Sequence, residues 1–145
     1  MPKVFVSRKE HFNAAHKLYN PTWSKQRNIE VFGSCANDNW HGHNFELIVT
    51  VEGWVNQETG FVVDLKELSV IVQAMVIKKL DHKNLNLDVD FMKDKMASCE
   101  NLISEIWKLL EEPIEKLSED VRLYRLILHE TSKNHVEYMG PDSAS

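Results

Sequence analysis

Hydrophobic and polar positions alternate along two long segments, and this alternation predicts two β-strands. In residues 4–18, Phe12, Ala14 and His16 share one face at a period of two residues. In residues 41–55, one face carries His41, His43, Phe45, Leu47, Val49 and Val51. The opposite face of that strand carries Glu46, Thr50 and Glu52. We therefore expect a sheet with one face toward solvent, which is typical of antiparallel pairing.

A helical period of apolar residues predicts two helices in the second half of the chain. The first follows Asp64, the expected N-cap, and its apolar stripe consists of Leu65, Leu68, Val72 and Met75. The second begins near Ser98, is ended or kinked by Pro113, and has a stripe of Leu102, Ile106, Leu109 and Leu110. Shorter strands are expected at 61–63, 123–131 and 136–139, and irregular structure at 21–39 and 80–90. This order of elements predicts an α+β fold with helices on one face of an antiparallel sheet.

Composition narrows the class of protein. The chain has 145 residues, of which 43% are hydrophobic and 27% charged, so we expect one domain over residues 1–140 and a flexible tail at 141–145. A net charge of −5 argues against a nucleic acid or an acidic membrane surface as partner. No apolar run approaches the roughly 18 residues of a membrane span. Residues 1–4 lack the apolar region of a secretion signal, so we expect a cytoplasmic protein whose cysteines are free thiols.

Three of the seven histidines form a pattern that is typical of a metal site. His41 and His43 lie on the same side of one predicted strand, and His16 lies on another. If these strands pair, three imidazoles meet and leave a fourth position open, which is the arrangement of catalytic zinc. A His-x-His pair also occurs without a metal, so the pattern alone leaves both interpretations open.

Two further groups carry candidate proton-transfer chemistry. Cys35 lies six residues before His41, and a thiol near a cation loses its proton more easily and can act as a base. Asp81 precedes His82 directly, and a carboxylate beside an imidazole can orient it in a proton relay. The alternatives are a small packing residue at Cys35 and a solvated loop pair at Asp81 and His82.

Two glutamates are candidates for substrate binding. Glu130 ends an apolar stripe on a predicted strand, and a ligand with paired N–H donors would satisfy both of its carboxylate oxygens. A salt-bridged or solvent-facing Glu130 is the alternative. Glu100 is the second candidate, although the helix dipole alone explains an acidic residue in a first helical turn.

Five short motifs occur in an order that resembles the 6-pyruvoyl-tetrahydropterin synthase family. They lie at residues 12–16 (FNAAH), 35–44 (Cys35 through HGHN), 59–65 (TGFVVDL), 80–85 (LDHKNL) and 130–131 (ET). Each motif is weak by itself, but the five follow one another with matching gaps and span roughly residues 4 to 140. The combination is therefore specific.

The resemblance implies a fold and an assembly. The tunnelling fold of this family is a four-stranded antiparallel sheet with two helices on one face. Three subunits close a twelve-stranded barrel, and two trimers stack into a homohexamer. Closure of a barrel would remove the exposed edges of an open sheet.

The resemblance also implies an activity. Enzymes of this family are zinc-dependent lyases that convert 7,8-dihydroneopterin triphosphate to 6-pyruvoyl-tetrahydropterin and triphosphate, a step of tetrahydrobiopterin biosynthesis. His16, His41 and His43 match the Zn²⁺ ligands, and Cys35 matches the general base. Asp81 and His82 match a proton-shuttling dyad that comes from a neighbouring subunit. Glu130 matches the residue that anchors the pterin ring.

The sequence departs from the family pattern at two places. Cys99 stands in the run Ser98 to Asn101 where the family often has Thr or Ser, which puts a side-chain contact from that position in doubt. The segment 36–40 is bulkier than the proline- and glycine-rich segment that is frequent in the family.

The sequence leaves two other functions open. A 6-carboxy-tetrahydropterin synthase has the same fold and metal, but it usually has three residues between the cysteine and the HGH motif, whereas this chain has five. A non-catalytic, zinc-stabilised pterin-binding oligomer would use Cys35 as a fourth ligand, because structural zinc sites normally have four protein ligands.

Overall fold

One mixed sheet organises the fold. The computed structural model describes residues 2–141. The strands of this part of the chain are β1 (Lys3–His16), β2 (His41–Trp54), β3 (Lys83–Asn84), β4 (Arg122–His129) and β5 (His135–Tyr138). They lie in the order β3-β1-β2-β4-β5, in which only the pairing of β3 with β1 is parallel.

The long hairpin of β1 and β2 fixes the register at the end of the sheet where the histidines lie. The strands pair without a break from Lys3 opposite Trp54 to His16 opposite His41. Because side chains alternate between the faces of a strand, His16, His41 and His43 share the face that carries Phe12 and Phe45. The register therefore places all three imidazoles at one end of the buried face.

The helices are separated along the chain by the strands and loops. They are α1 (Lys25–Phe32), α2 (Leu65–Val72), α3 (Lys78–Leu80) and α4 (Cys99–Glu115). A π-helical segment, Gln73–Ile77, joins α2 to α3. The Asp64 carboxylate accepts a hydrogen bond from the Lys66 N–H, and the Ser98 hydroxyl accepts one from the Asn101 N–H. The predicted N-cap at Asp64 is thereby confirmed, and Ser98, near which the second helix was expected to begin, is the N-cap of α4.

One face of the sheet packs against α2 and α4 and forms the core. Large side chains from both layers are fully buried there, among them Phe45, Leu47, Leu68, Leu102 and Ile106. The buried face also contains the carboxylate of Glu10, whose exposed fraction is 7%. It accepts hydrogen bonds from Ser69 Oγ (2.7 Å), Gln73 Nε2 (2.8 Å) and Arg8 Nε (2.8 Å). These contacts tie β1 to the helix that covers it.

The predicted strand content was wrong in three respects. The sheet has five strands within residues 2–141, because the two-residue β3 adds to the four antiparallel ones. Residues 61–63 form no strand, although Val62 and Val63 are buried as core residues. Thr50 is 1% exposed, and its hydroxyl lies 2.7 Å from that of Ser7, so the second face of the sheet is not uniformly wet.

The predicted helix content also needs correction. Residues 21–39 are not irregular throughout, since α1 begins after the Ser24 N-cap and is followed by a 3₁₀ turn at Gly33–Ala36. Pro113, which was expected to end or kink the second helix, does not end α4, because the helix continues to Glu115. Leu65 was placed on the inner stripe but is 43% exposed. Residues 142–145 of the predicted tail lie outside the described residues.

Candidate metal centre and ligand site

Three histidines from the β1–β2 hairpin converge on one point. Their ring centroids are 4.6 Å apart for His16 and His41, 5.2 Å for His16 and His43, and 4.9 Å for His41 and His43. One nitrogen from each ring lies within 4.8 Å of the others. This spacing allows three imidazoles to bind one ion, as the alternation along the two strands predicted.

The nitrogens that face this point have the chemistry of metal ligands. The Nε2 atoms of His16 and His43 are buried and lack a hydrogen-bond partner within residues 2–141. His16 Nδ1 lies 2.8 Å from the carbonyl oxygen of Ala97, which holds the proton on Nδ1 and leaves the Nε2 lone pair free. Burial lowers the pKa of all three imidazoles, so they are neutral at pH 7. Unpartnered neutral nitrogens fit a divalent ion such as zinc, because a bound ion would satisfy them.

Glu130 lies beside the histidine cluster. It follows β4 directly, and its carboxylate oxygens are 3.6 Å from His43 Nε2 and 3.9 Å from His16 Nε2. The side chain is one-quarter exposed, so a ligand can reach it. The structure thus brings Glu130 and the three histidines together.

Cys35 lies in the 3₁₀ turn that follows α1. Its backbone carbonyl accepts a hydrogen bond of 2.8 Å from the Leu18 N–H, two residues beyond His16. The residue is partly buried and its thiol is free, as predicted. The group of clustered metal-ligating side chains in the described part of the chain contains three histidines and no cysteine. A fourth ligand from Cys35 is therefore not part of this arrangement.

Asp81 and His82 lie at the outer edge of β1, away from β2. Asp81 Oδ1 accepts a hydrogen bond from the Asn13 N–H (2.8 Å), and the His82 N–H donates to the Asn13 carbonyl (2.6 Å). His82 Nδ1 is 3.1 Å from Asp81 Oδ2, so the two side chains form the expected dyad. His82 has a φ of +60° and a side chain that is 83% exposed. Within residues 2–141, no hydrogen bond or ion pair joins this dyad to the histidine cluster.

The first turn of α4 contains one candidate and one contact that sequence reasoning missed. Glu100 is exposed there and, among the described residues 2–141, makes none of the hydrogen bonds or ion pairs that surround the cluster. Its neighbour Cys99 is buried, and the Cys99 thiol donates a hydrogen bond to Glu130 Oε2 at 2.9 Å. No local pattern predicts this contact, because the two residues are 31 positions apart.

Comparison with known proteins identifies the family. The family model described as 6-pyruvoyl tetrahydropterin synthase matches residues 5–141. The chain belongs to this family. The resemblance inferred from the five motifs is thereby confirmed, and the histidine cluster lies in a member of a family named for a pterin-forming enzyme.

Individual relatives agree with this assignment. The chain is 39% identical to a 6-pyruvoyl tetrahydrobiopterin synthase of Drosophila melanogaster over 140 residues, which is 97% of this chain and 82% of the relative. It is 38% identical to the human protein of the same name over 135 residues, covering 93% of this chain and 90% of the relative. The solved structure of Caenorhabditis elegans 6-pyruvoyl tetrahydropterin synthase matches with a TM-score of 0.82 and 34% identity, covering 97% of both chains.

Proposed function

We propose that this chain is a zinc-dependent lyase that converts 7,8-dihydroneopterin triphosphate to 6-pyruvoyl-tetrahydropterin and releases triphosphate. The observation that carries the proposal is the convergence of His16, His41 and His43 with the carboxylate of Glu130 beside them. Three nitrogen ligands leave a position for substrate, whereas a structural zinc site is normally closed by four protein ligands.

The metal and the residues around the cluster have different roles in the proposed reaction. Zinc, when bound, supplies a Lewis acid that makes protons on the substrate side chain more acidic. Glu130 accepts hydrogen bonds from the paired N–H donors of the aminopyrimidine edge of the pterin and so orients the ring. Its position next to His16 and His43 supports this role, because the edge and the side chain of one substrate must be held at the same time.

In this proposal, Cys35 and the dyad of Asp81 and His82 transfer protons. Cys35 acts as the general base, and its attachment to the segment that follows His16 supports a position near the cluster. Asp81 orients His82, which shuttles protons at the site of a neighbouring subunit. The high exposure of His82 and its place on a sheet edge support a role at a contact between subunits.

The proposed assembly is a homohexamer of two trimers, in which three subunits close a twelve-stranded barrel. The four antiparallel strands β1, β2, β4 and β5 supply one-third of such a barrel, and β3 covers only Ala14 and Ala15 at the edge of β1. A cytoplasmic location is proposed with it. No helix within residues 2–141 is long and apolar enough to cross a membrane.

Incubation of the protein with 7,8-dihydroneopterin triphosphate tests the proposal. Triphosphate release is measured with and without a zinc chelator, and the pterin product is identified by mass. We expect release that depends on the metal and a pyruvoyl product. A carboxy or hydroxymethyl product would replace the proposed reaction with another one at the same site. Absence of release from zinc-loaded protein would contradict catalysis and favour a pterin-binding oligomer.

A further inference from the structure

The carboxylate of Glu130 needs a partner that fixes its orientation. The terminal torsion of a glutamate side chain is broad, so its own rotamer does not set the plane of the two oxygens. Cys99 Sγ donates to Oε2 at 2.9 Å, and no other hydrogen bond to this carboxylate is formed by the part of the chain described. Oε1 lies toward His43 instead, at 3.6 Å from Nε2.

We propose that Cys99 is a positioning residue, whose thiol holds Oε2 of Glu130 so that the carboxylate presents both oxygens to a pterin edge. The inference rests on the proposed function, in which Glu130 anchors the pterin. A carboxylate has about four lone-pair sites on its two oxygens, so Oε2 accepts the thiol and still accepts a ligand N–H.

The surroundings of Cys99 keep it a hydrogen-bond donor. The side chain is 8% exposed, and burial together with the hydrogen bond to Glu130 raises the pKa of its thiol well above the usual value. The S–H form is therefore the only one present at neutral pH, and it donates where a thiolate would repel the carboxylate. Cys99 is also the first residue of α4, where the helix dipole favours a nearby negative charge.

The start of α4 and the residues just before it orient two parts of the site. The carbonyl of Ala97 accepts from His16 Nδ1, and two residues later the thiol of Cys99 donates to Glu130. The metal ligand and the ring anchor are thus held by the same short stretch of backbone. Cys99, which stands where the family often has Thr or Ser, therefore still makes a side-chain contact, namely the hydrogen bond to Glu130.

A double-mutant cycle with Cys99→Ala and Glu130→Ala tests the proposal. The probe is neopterin, which carries the aminopyrimidine edge without a triphosphate, and its dissociation constant is measured on zinc-loaded protein. We expect Cys99→Ala to weaken binding by about fivefold to tenfold, since a hydrogen bond to a charged group is lost and a thiol is a weak donor. In the Glu130→Ala background the same change should have less than a twofold effect. Cys99→Ser, which keeps a donor, should bind within about twofold of the parent protein.

Two further measurements separate positioning from a general structural role. Zinc content per chain should be the same in all variants, and Cys99→Ala should raise KM for 7,8-dihydroneopterin triphosphate while kcat changes less than twofold. If Cys99→Ala does not fold, Cys99→Val replaces it, because valine also lacks a donor but fills the space.

Each outcome decides a different question. Equal losses from Cys99→Ala with and without Glu130, or no loss at all, would overturn the positioning role while leaving the proposed reaction intact. Unchanged neopterin affinity in Glu130→Ala would overturn the anchoring role of Glu130, and with it both the proposed substrate contact and this inference.

Discussion

Replacement of Glu10 by glutamine should destabilise the protein far more than its conservative character indicates. Glu10 is 7% exposed and accepts hydrogen bonds from Ser69, Gln73 and Arg8. Burial alone raises the pKa of this carboxyl, but the hydrogen bonds from Ser69, Arg8 and Gln73 outweigh it and hold the pKa below the ordinary value of 4.5. The ionised form is therefore the one that the folded protein stabilises.

The magnitude follows from the three donors. A glutamine has one carbonyl oxygen, which can accept from Ser69 or from Gln73 but not from both. The hydrogen bond that remains has a neutral acceptor in place of a charged one, which weakens it by about 1 kcal/mol. Its amide N–H₂ group also faces one of the donors, and a buried donor without an acceptor costs about 1–3 kcal/mol. Arg8 is 44% exposed, so water replaces most of what it loses. We expect Glu10→Gln to lower the free energy of unfolding by about 2–4 kcal/mol at pH 7.

Urea unfolding of metal-free protein at fixed protein concentration measures this difference. Because the folded pKa lies below the unfolded one, the contribution of Glu10 is complete above pH 4.5 and is lost as the pH falls through the folded pKa. The gap between parent and variant should therefore shrink between pH 7 and pH 3. Glu46→Gln is the matched control, since Glu46 is 39% exposed and its contacts to Lys9 and His11 are 3.6 Å and 3.8 Å long. The reasoning fails if Glu10→Gln costs no more than the control, or if its cost is independent of pH.

Three further predictions concern the site. Cys35→Ala should keep the fold and the zinc content but lose about 10²–10⁴-fold in turnover, because a general base is removed; full activity would refute Cys35 as the base. Glu130→Gln should weaken neopterin binding by about tenfold or more without releasing zinc, since the charged acceptor is lost; an unchanged dissociation constant in a fluorescence titration would contradict it. Zinc binding should persist at pH 6.5 and fall at lower pH, because burial lowers the pKa of His16, His41 and His43 and protons compete only below that pH. Equilibrium dialysis across this range checks the direction, and loss of zinc already at pH 7 would count against it.

The parts of the fold that follow from alternation and helical period could be predicted. The register of β1 and β2 places His16 opposite His41, so the faces that alternation assigned to these histidines within each strand coincide in the sheet. The positions of Asp64 and Ser98 predicted where α2 and α4 begin, because a side-chain oxygen there satisfies backbone N–H groups. The histidine cluster could be predicted in part for the same reason, since strand periodicity places His41 and His43 on one face. His16 joins them only because β1 and β2 pair, which could be stated from the sequence only as a condition.

The remaining features depend on contacts that no local pattern carries. Ile29 and Val31 of α1 are about half-exposed, so this helix lacks the buried apolar stripe from which a helix is predicted. Its sequence signals are the cap residues Ser24 and Gly33. The two residues of β3 are too few for a period. The hydrogen bond between Cys99 and Glu130 joins segments that only the packing of α4 against β4 brings together.

The attachment of the Asp81–His82 dyad to Asn13 has a consequence for how another strand can add to this sheet. The dyad occupies both the N–H and the carbonyl of Asn13 on the side of β1 that faces away from β2. In β1, the backbone N–H and C=O groups of every second residue face this side. The groups of alternate residues from Lys3 to His11 therefore lie along the same edge as those of Asn13. The short strand β3 pairs with Ala14 and Ala15 at the end of this edge. A strand from outside that paired with β1 would have to stop before Asn13. The dyad thus limits the length of such a pairing, and it places His82 next to the residue at which the added strand would end.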